Sequence, residues 1–383
     1  MTQANFDPTS LAAPGIAGLT PYQPGKPEGE LAREYGVSDI VKLASNENPL
    51  GPSPRALAAA QEAVAGAHRY PDGGAWALRQ HLAAVHDVAP ECLIFGNGSN
   101  DVLDLVARAF LAPGRSAVFA EHAFAVYPIA TRSAGAEAVV VPANPADHPQ
   151  PFGHDLAAMA EAARRPGVAV MFVANPNNPT GTWVDGDAVA ALLAAVPREV
   201  IVVLDEAYVE YALDVPGYVD GRRWLERHPN LVLTRSFSKA YGLAGLRVGY
   251  GIAHPAVADL MNRVRHPFNV NAAAQAAALA ALEDEAHIAR SVAENAAERG
   301  RLTTGLESLG LRVLPSAGNF VCARVGDAAA VNEALLRAGV IVRPVAGYGL
   351  PEWLRITVGR PGENDRLLAA LADCRRGGLL GGC

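Results

Sequence analysis

The feature that most limits what this chain can fold into is an alternation. Short apolar runs at residues 92–95, 117–120, 138–141, 168–174, 200–204 and 231–234 are bounded by turn residues. Stretches of helical character at 54–67 and 76–86 precede the first run, another at 101–110 follows it, and most of the later runs are separated by helix-like segments. A strand that is apolar at nearly every position has both faces buried, and such strands alternating with helices predict a mostly parallel sheet covered on both sides. After about residue 275 the pattern changes. An Ala-rich helix at 272–282 leads into a charged helical stretch at 285–309. Strands at 312–314 and 320–324, a helix at 328–338, strands at 340–343 and 353–358 and a closing helix at 363–374 follow. The first 45 residues are rich in Pro and Gly and read as an arm. The expectation is an α/β chain with an arm at 1–45 that joins the smaller domain, a large domain at 46–275 and a small α+β domain at 276–383. A length of 383 residues exceeds the roughly 250–300 at which single cores stop growing, which agrees with two domains.

Composition removes several classes of function. Half the residues are hydrophobic, 19% are charged and the net charge is −7, which disfavours non-specific binding to nucleic acid or to an anionic membrane. Apolar stretches stay short of the ~18 residues that a membrane span needs. Cys92, Cys322, Cys374 and Cys383 are scattered, with no C-x-x-C pair and no His cluster, so neither a disulfide framework nor a metal site is expected and a reducing cytoplasm fits. Met1 to Pro14 carry no basic segment followed by an apolar run, so no signal peptide is expected.

Of 32 basic residues only Lys26, Lys42 and Lys239 are lysines. Where Arg supplies the generic surface cation, a remaining Lys is a candidate for chemistry that guanidinium cannot do, because an amine can lose its proton and attack a carbonyl. In an open α/β sheet ligands sit beyond the carboxyl ends of the strands, so the residues after each apolar run matter most. After 92–95 comes Gly96-Asn97-Gly98-Ser99-Asn100 and a helix start, which reads as a phosphate cup or an ordinary tight turn. Asp101 breaks the G-x-G-x-x-G pattern of dinucleotide binding. After 168–174 comes the rigid polar loop Asn175-Pro176-Asn177-Asn178-Pro179-Thr180-Gly181. After 200–204 comes Asp205-Glu206-Ala207-Tyr208, where Asp205 either meets a cation or caps a helix. After 231–234 comes Ser236-Phe237-Ser238-Lys239, with Arg247 eight residues beyond the lysine. A lysine, a carboxylate, a phenol with an amide, a Gly-rich helix start with serines and an arginine, and an aromatic at Phe124 are the parts that a pyridoxal phosphate site requires.

These strings resemble the signatures of fold-type I, class II aminotransferases. Lys42-Leu-Ala-Ser-Asn-Glu-Asn-Pro-Leu-Gly51, Arg69-Tyr70-Pro71 and Leu354-Arg-Ile-Thr-Val-Gly359 narrow the resemblance to the histidinol-phosphate aminotransferase branch. It runs from about Pro21 to Leu371. The resemblance implies that the 46–275 domain binds pyridoxal 5′-phosphate and that Lys239 is the Schiff-base lysine and proton shuttle. It implies that Asp205 pairs with the pyridine nitrogen, and that Tyr208 and Asn178 contact the ring oxygen. Ser99, Asn100, Ser236, Ser238 and Arg247 would surround the phosphate, with Tyr70 reaching it from the second subunit of a homodimer. Phe124 stands where the family often has Tyr and would stack on the ring. Arg355 would clamp the acidic group of the substrate, with Arg343, Tyr22 and Asn178 as further substrate contacts.

The implied activity is ping-pong transamination between glutamate and imidazole-acetol phosphate, giving histidinol phosphate and 2-oxoglutarate. An aromatic amino-acid transaminase and a threonine-phosphate-type decarboxylase share most of these motifs. Ser236-x-x-Lys239 also fits the S-x-x-K of penicillin-binding enzymes, but the accompanying S-D-N and K-T-G strings do not occur. A cofactor-binding transcription regulator would need a DNA-binding domain ahead of this unit, and about 40 residues precede the first motif.

Overall fold

The structure is a computed structural model that describes residues 8–22 and 24–381. Its centre is a seven-stranded sheet. In spatial order the strands are Leu93–Gly96, Gly249–Ala253, Leu231–Ser236, Ile201–Asp205, Val168–Ala174, Ser116–Ala120 and Glu137–Val141. Gly249–Ala253 runs antiparallel to both of its neighbours, and every other pairing is parallel. Successive side chains of a strand point to opposite faces. In Ser116–Ala120, Ile201–Asp205 and Leu231–Ser236 every residue is buried, so both faces are covered. Strand residues such as Val118, Phe172, Val203 and Leu233 share one core with Leu103 and Val106 of the Ser99–Phe110 helix and Met261 of the Pro255–Val264 helix.

A second sheet of four antiparallel strands runs in the order Arg343–Pro344, Trp353–Thr357, Phe320–Arg324, Arg312–Val313. Its core contains Val321, Leu354 and Ile356, joined by Leu302 and Leu306 of the long helix Glu285–Ser308 and Leu367 of the Pro361–Arg376 helix. The N-terminal segment packs here too. Val41–Lys42 pairs in parallel with Val340–Ile341, and Leu31 is buried with Leu336 and Ile341.

Three details depart from the sequence expectation. The arm contains a helix, Glu28–Tyr35, whose one buried residue is Leu31. One apolar contact in two turns leaves no periodicity to read. The strand Gly249–Ala253 was not expected, because two glycines in five residues look like a turn. The apolar stretch 340–343 serves two sheets in succession, pairing first with Val41–Lys42 and then, at Arg343–Pro344, with Trp353–Thr357. Among the described residues, no helix is long and apolar enough to cross a membrane.

Candidate active site

The carboxyl ends of the large sheet meet the second sheet around a cavity of about 450 Å³, within the range of small-molecule sites. Five strand ends supply it. The strand ending at Gly96 leads to Ser99 and Asn100, and the one ending at Ala120 leads to Phe124. Ala174 opens the loop carrying Asn178, Asp205 closes its own strand, and the strand ending at Ser236 leads to Ser238 and Lys239. Tyr208, Arg247, Tyr22 and Arg355 complete the expected residues that line the cavity.

Lys239 points its amine at the Ser45 carbonyl, 3.3 Å away, and 5.5 Å from the centre of the Tyr208 ring. Burial pushes its pKa down to about 7, and the Arg355 guanidinium adds to the fall. Asp205 is buried and does not cap a helix. Its Oδ1 accepts from the Thr234 hydroxyl and its Oδ2 from the Tyr127 hydroxyl, both at 2.9 Å. Burial raises the Asp205 pKa, and those two hydroxyls work against the rise by favouring the anion. A buried carboxylate held only by neutral donors is suited to receive a cationic N–H. Burial lifts Tyr208 to about 12, so its phenol keeps its proton at neutral pH. The next residue, Glu206, lies behind the site in a buried ion pair with Arg235 (2.7 Å), which also meets Asp220 at 2.5 Å. That network fixes the turn after the Asp205 strand.

The helix starting at Ser99 has Gly98 at its N-cap and no side-chain cap, so its first amides are available to an anion. Arg247 lies against it. Gly98 has φ +81°, and a Cβ there would stand 2.4 Å from Arg247 Nη2. Across the sheet, a Cβ at Gly249 would come within 2.3 Å of the Ser99 amide nitrogen. The guanidinium of Arg247 also reaches the Ser238 hydroxyl at 3.4 Å. Serines, a guanidinium and an uncapped helix start therefore converge on one end of the cavity.

At the other end Arg355 donates to Asn178 Oδ1 (2.5 Å) and to the Ala44 carbonyl (2.6 Å), while its buried Nε has no partner. Arg343 is the cross-strand neighbour of Arg355 and lies outside the cavity lining. Its guanidinium sits 5.4 Å from the centre of the Tyr22 ring, and its own Nε is also buried without a partner. Tyr70 is 82% exposed, stacked on Phe268 with ring centres 4.7 Å apart, and does not line this chain's own cavity. Sequence reading missed Tyr127, Thr234 and Asn46. Thr234 lies opposite Asp205 in the strand register and was the findable one, as a hydroxyl closing an apolar run.

Residues 38–371 match the family of class I and II aminotransferases. The chain belongs to this family. It is 58% identical to histidinol-phosphate aminotransferase 1 of Thiobacillus denitrificans, over 95% of this chain and 93% of that protein. It is 56% identical to histidinol-phosphate aminotransferase 2 of Pseudomonas fluorescens, over 94% of this chain and 96% of that protein. Among solved structures, the histidinol-phosphate aminotransferase of Sinorhizobium meliloti in complex with pyridoxal-5′-phosphate matches with a TM-score of 0.87. That match has 30% sequence identity and covers 96% of this chain and 98% of that chain. The aminotransferase fold described above is accordingly that of the fold-type I pyridoxal-phosphate enzymes. The side chains fit such a cofactor: a buried amine of lowered pKa, a buried carboxylate lacking a cation, and an anion cup on one cavity.

Proposed function

We propose that this aminotransferase interconverts histidinol phosphate and 2-oxoglutarate with imidazole-acetol phosphate and glutamate, using pyridoxal 5′-phosphate, as a step of histidine biosynthesis. The observation that carries the chemistry is Lys239, an amine held near pKa 7 in a cavity bounded by Asp205 at one wall and Arg355 at another. The substrate assignment is supported by the names of relatives more than half identical over nearly the full chain.

When bound, pyridoxal phosphate supplies an aldehyde that captures amines and a ring that withdraws electrons from the neighbouring carbon. The chain's residues do the rest. Lys239 would hold the cofactor at its aldehyde and would serve as the proton carrier at the substrate α-carbon, a role that requires the neutral amine that burial favours. Asp205 would keep the ring nitrogen protonated, and the hydroxyls of Tyr127 and Thr234 favour its anionic form against the effect of burial. Ser99, Asn100, Ser236, Ser238 and Arg247, which line one cavity, would hold the cofactor phosphate, with Phe124 to pack on the ring and Tyr208 and Asn178 to meet its oxygen. Arg355 offers its free Nε to the acidic group of the substrate, with Arg343 and Tyr22 beside it.

We further propose a cytoplasmic homodimer in which Tyr70 of each chain serves the other chain's cofactor phosphate. In support, Tyr70 is presented outward on its stacking partner Phe268, and Cys92, Cys322 and Cys374 are free thiols. A glutamate-dependent assay with imidazole-acetol phosphate, phenylpyruvate and threonine phosphate tests the substrate. Turnover of the first far above the second supports the assignment, whereas preference for phenylpyruvate, or carbon dioxide release from threonine phosphate, would replace it.

A further inference from the structure

Asn46 belongs to the segment that crosses between the two sheets, and none of the roles above uses its side chain. It is buried, with φ +54°, a left-handed backbone that Asn tolerates better than most residues. Its Nδ2 donates to the Tyr208 hydroxyl oxygen at 2.9 Å. Thr357 partners the other edge of the amide. Its Oγ1 accepts the Asn46 backbone N–H at 2.9 Å and donates its single proton to Asn46 Oδ1, 3.2 Å away. With Oδ1 engaged as acceptor, Nδ2 is the edge turned to Tyr208. The backbone carbonyl of Asn46 accepts in turn from Asn319 Nδ2 at 3.0 Å, which pins the residue from a third side.

A phenol has one proton and accepts through its oxygen. Since Asn46 already donates to that oxygen, the proton of Tyr208 has no use on the Asn46 side and is left for the cavity that the ring lines. We propose that Asn46 is a positioning residue for Tyr208, fixing its phenol as a donor into the cavity and anchoring that direction to Thr357, two residues along the strand from Arg355. This inference rests on the assignment of Tyr208 to the cofactor ring oxygen. A proton donated there stabilises the ring oxygen as an anion, and so lowers the pH at which the visible band of the lysine-bound cofactor changes colour.

The test is a spectroscopic pH titration of the holoenzyme, with no turnover involved. Asn46→Asp is nearly isosteric, tolerates the same backbone and still accepts from Thr357, but it turns the contact with Tyr208 from donor to acceptor. The phenol then gives its proton to the carboxylate, and the midpoint of the colour change should rise by about one pH unit. The same substitution in a Tyr208→Phe background measures the effect of the added charge alone. The expected result is a rise in the native background that is absent, or less than about half as large, in the Tyr208→Phe background. No rise, or equal rises in both, would overturn the proposal. If Asn46→Asp does not fold, Thr357→Val serves. It frees the Asn46 amide to rotate, and should raise the midpoint by a smaller amount only when Tyr208 is present; an unchanged midpoint would again overturn it. A wild-type protein that binds pyridoxal phosphate without a visible band would instead sink the assignment of Lys239, a distinct failure that takes this inference with it.

Discussion

The Lys239 amine, held near pKa 7 in the folded chain, has a value of 10.5 when unperturbed. Between those values the unfolded chain binds the proton more tightly than the folded one. The stability contributed by this residue is therefore full above about 10.5, falls as the pH is lowered, and is level below about 7. For the cofactor-free protein the slope is at most about 1.4 kcal/mol per pH unit. Denaturant unfolding at about pH 7.5 and about pH 9 should show stability rising with pH in the wild type and a shallower dependence in Lys239→Met; parallel profiles would refute it. In the holoenzyme, Lys239→Ala should lose transamination by at least about 10⁴-fold, since it removes both the covalent attachment and the proton carrier. A second residue carries an electrostatic prediction. Asp205→Asn keeps an acceptor for Thr234 or Tyr127 and so keeps the fold, but it removes the anion facing the ring nitrogen. Its turnover should drop by about 10²–10³-fold with little change in melting temperature, measured by steady-state kinetics and thermal unfolding. Near-normal turnover would mean that the carboxylate does not serve the cofactor. Asp205 and Lys239 could be singled out from sequence as residues of the cavity, the first because it closes an apolar run and the second because it is one of three lysines and lies on the loop beyond another such run. Tyr127 and the role of Asn46 could not be, since their importance lies in whom they touch across 78 and 162 residues of chain.

Elements carry a different kind of information. The strands whose burial is continuous, Val168–Ala174 and Ile201–Asp205, could be located from composition because a strand covered on both faces has no polar alternation to confuse it. Gly249–Ala253 could not, and the reason is the site itself. Gly249 lies where the Ser99 helix start approaches the sheet, and a side chain there would displace the backbone of that helix. Glycines that look like a turn instead make room for the Ser99 helix start beside the cavity. Gly98 allows a sharper test. A methyl group at this position meets the far end of Arg247 and not backbone, but the backbone at φ +81° and ψ 165° is one that residues with side chains rarely adopt, so the fold should survive at a cost of about 1–3 kcal/mol. The displaced guanidinium should nevertheless weaken pyridoxal phosphate binding by roughly tenfold or more, about the worth of one charge-assisted contact. Equilibrium dialysis of Gly98→Ala should separate the two effects. An unchanged affinity would remove Arg247 from the phosphate site.

On the scale of the whole molecule, the cavity needs both sheets, because Asp205 and Lys239 come from one and Arg355 from the other. The Val41–Lys42 pairing with Val340–Ile341 and the Asn46 contacts with Thr357 and Asn319 run the first motif of the chain between them. The proposed dimer adds a further requirement that no single chain can meet. Tyr70 stands at the surface on Phe268, away from its own cavity. If it acts on the partner's cofactor, then Tyr70→Ala and Lys239→Ala are defects in different chains of the same site. Unfolding and reassembling the two variants together gives about half mixed dimers. Each mixed dimer holds one site in which Lys239 of one chain faces Tyr70 of the other, both intact. About a quarter of all sites should then work, and the mixture should exceed the sum of the two variants measured apart. If Tyr70 served its own chain, every site with an intact Lys239 from a Tyr70→Ala chain would stay impaired, and mixing would restore nothing.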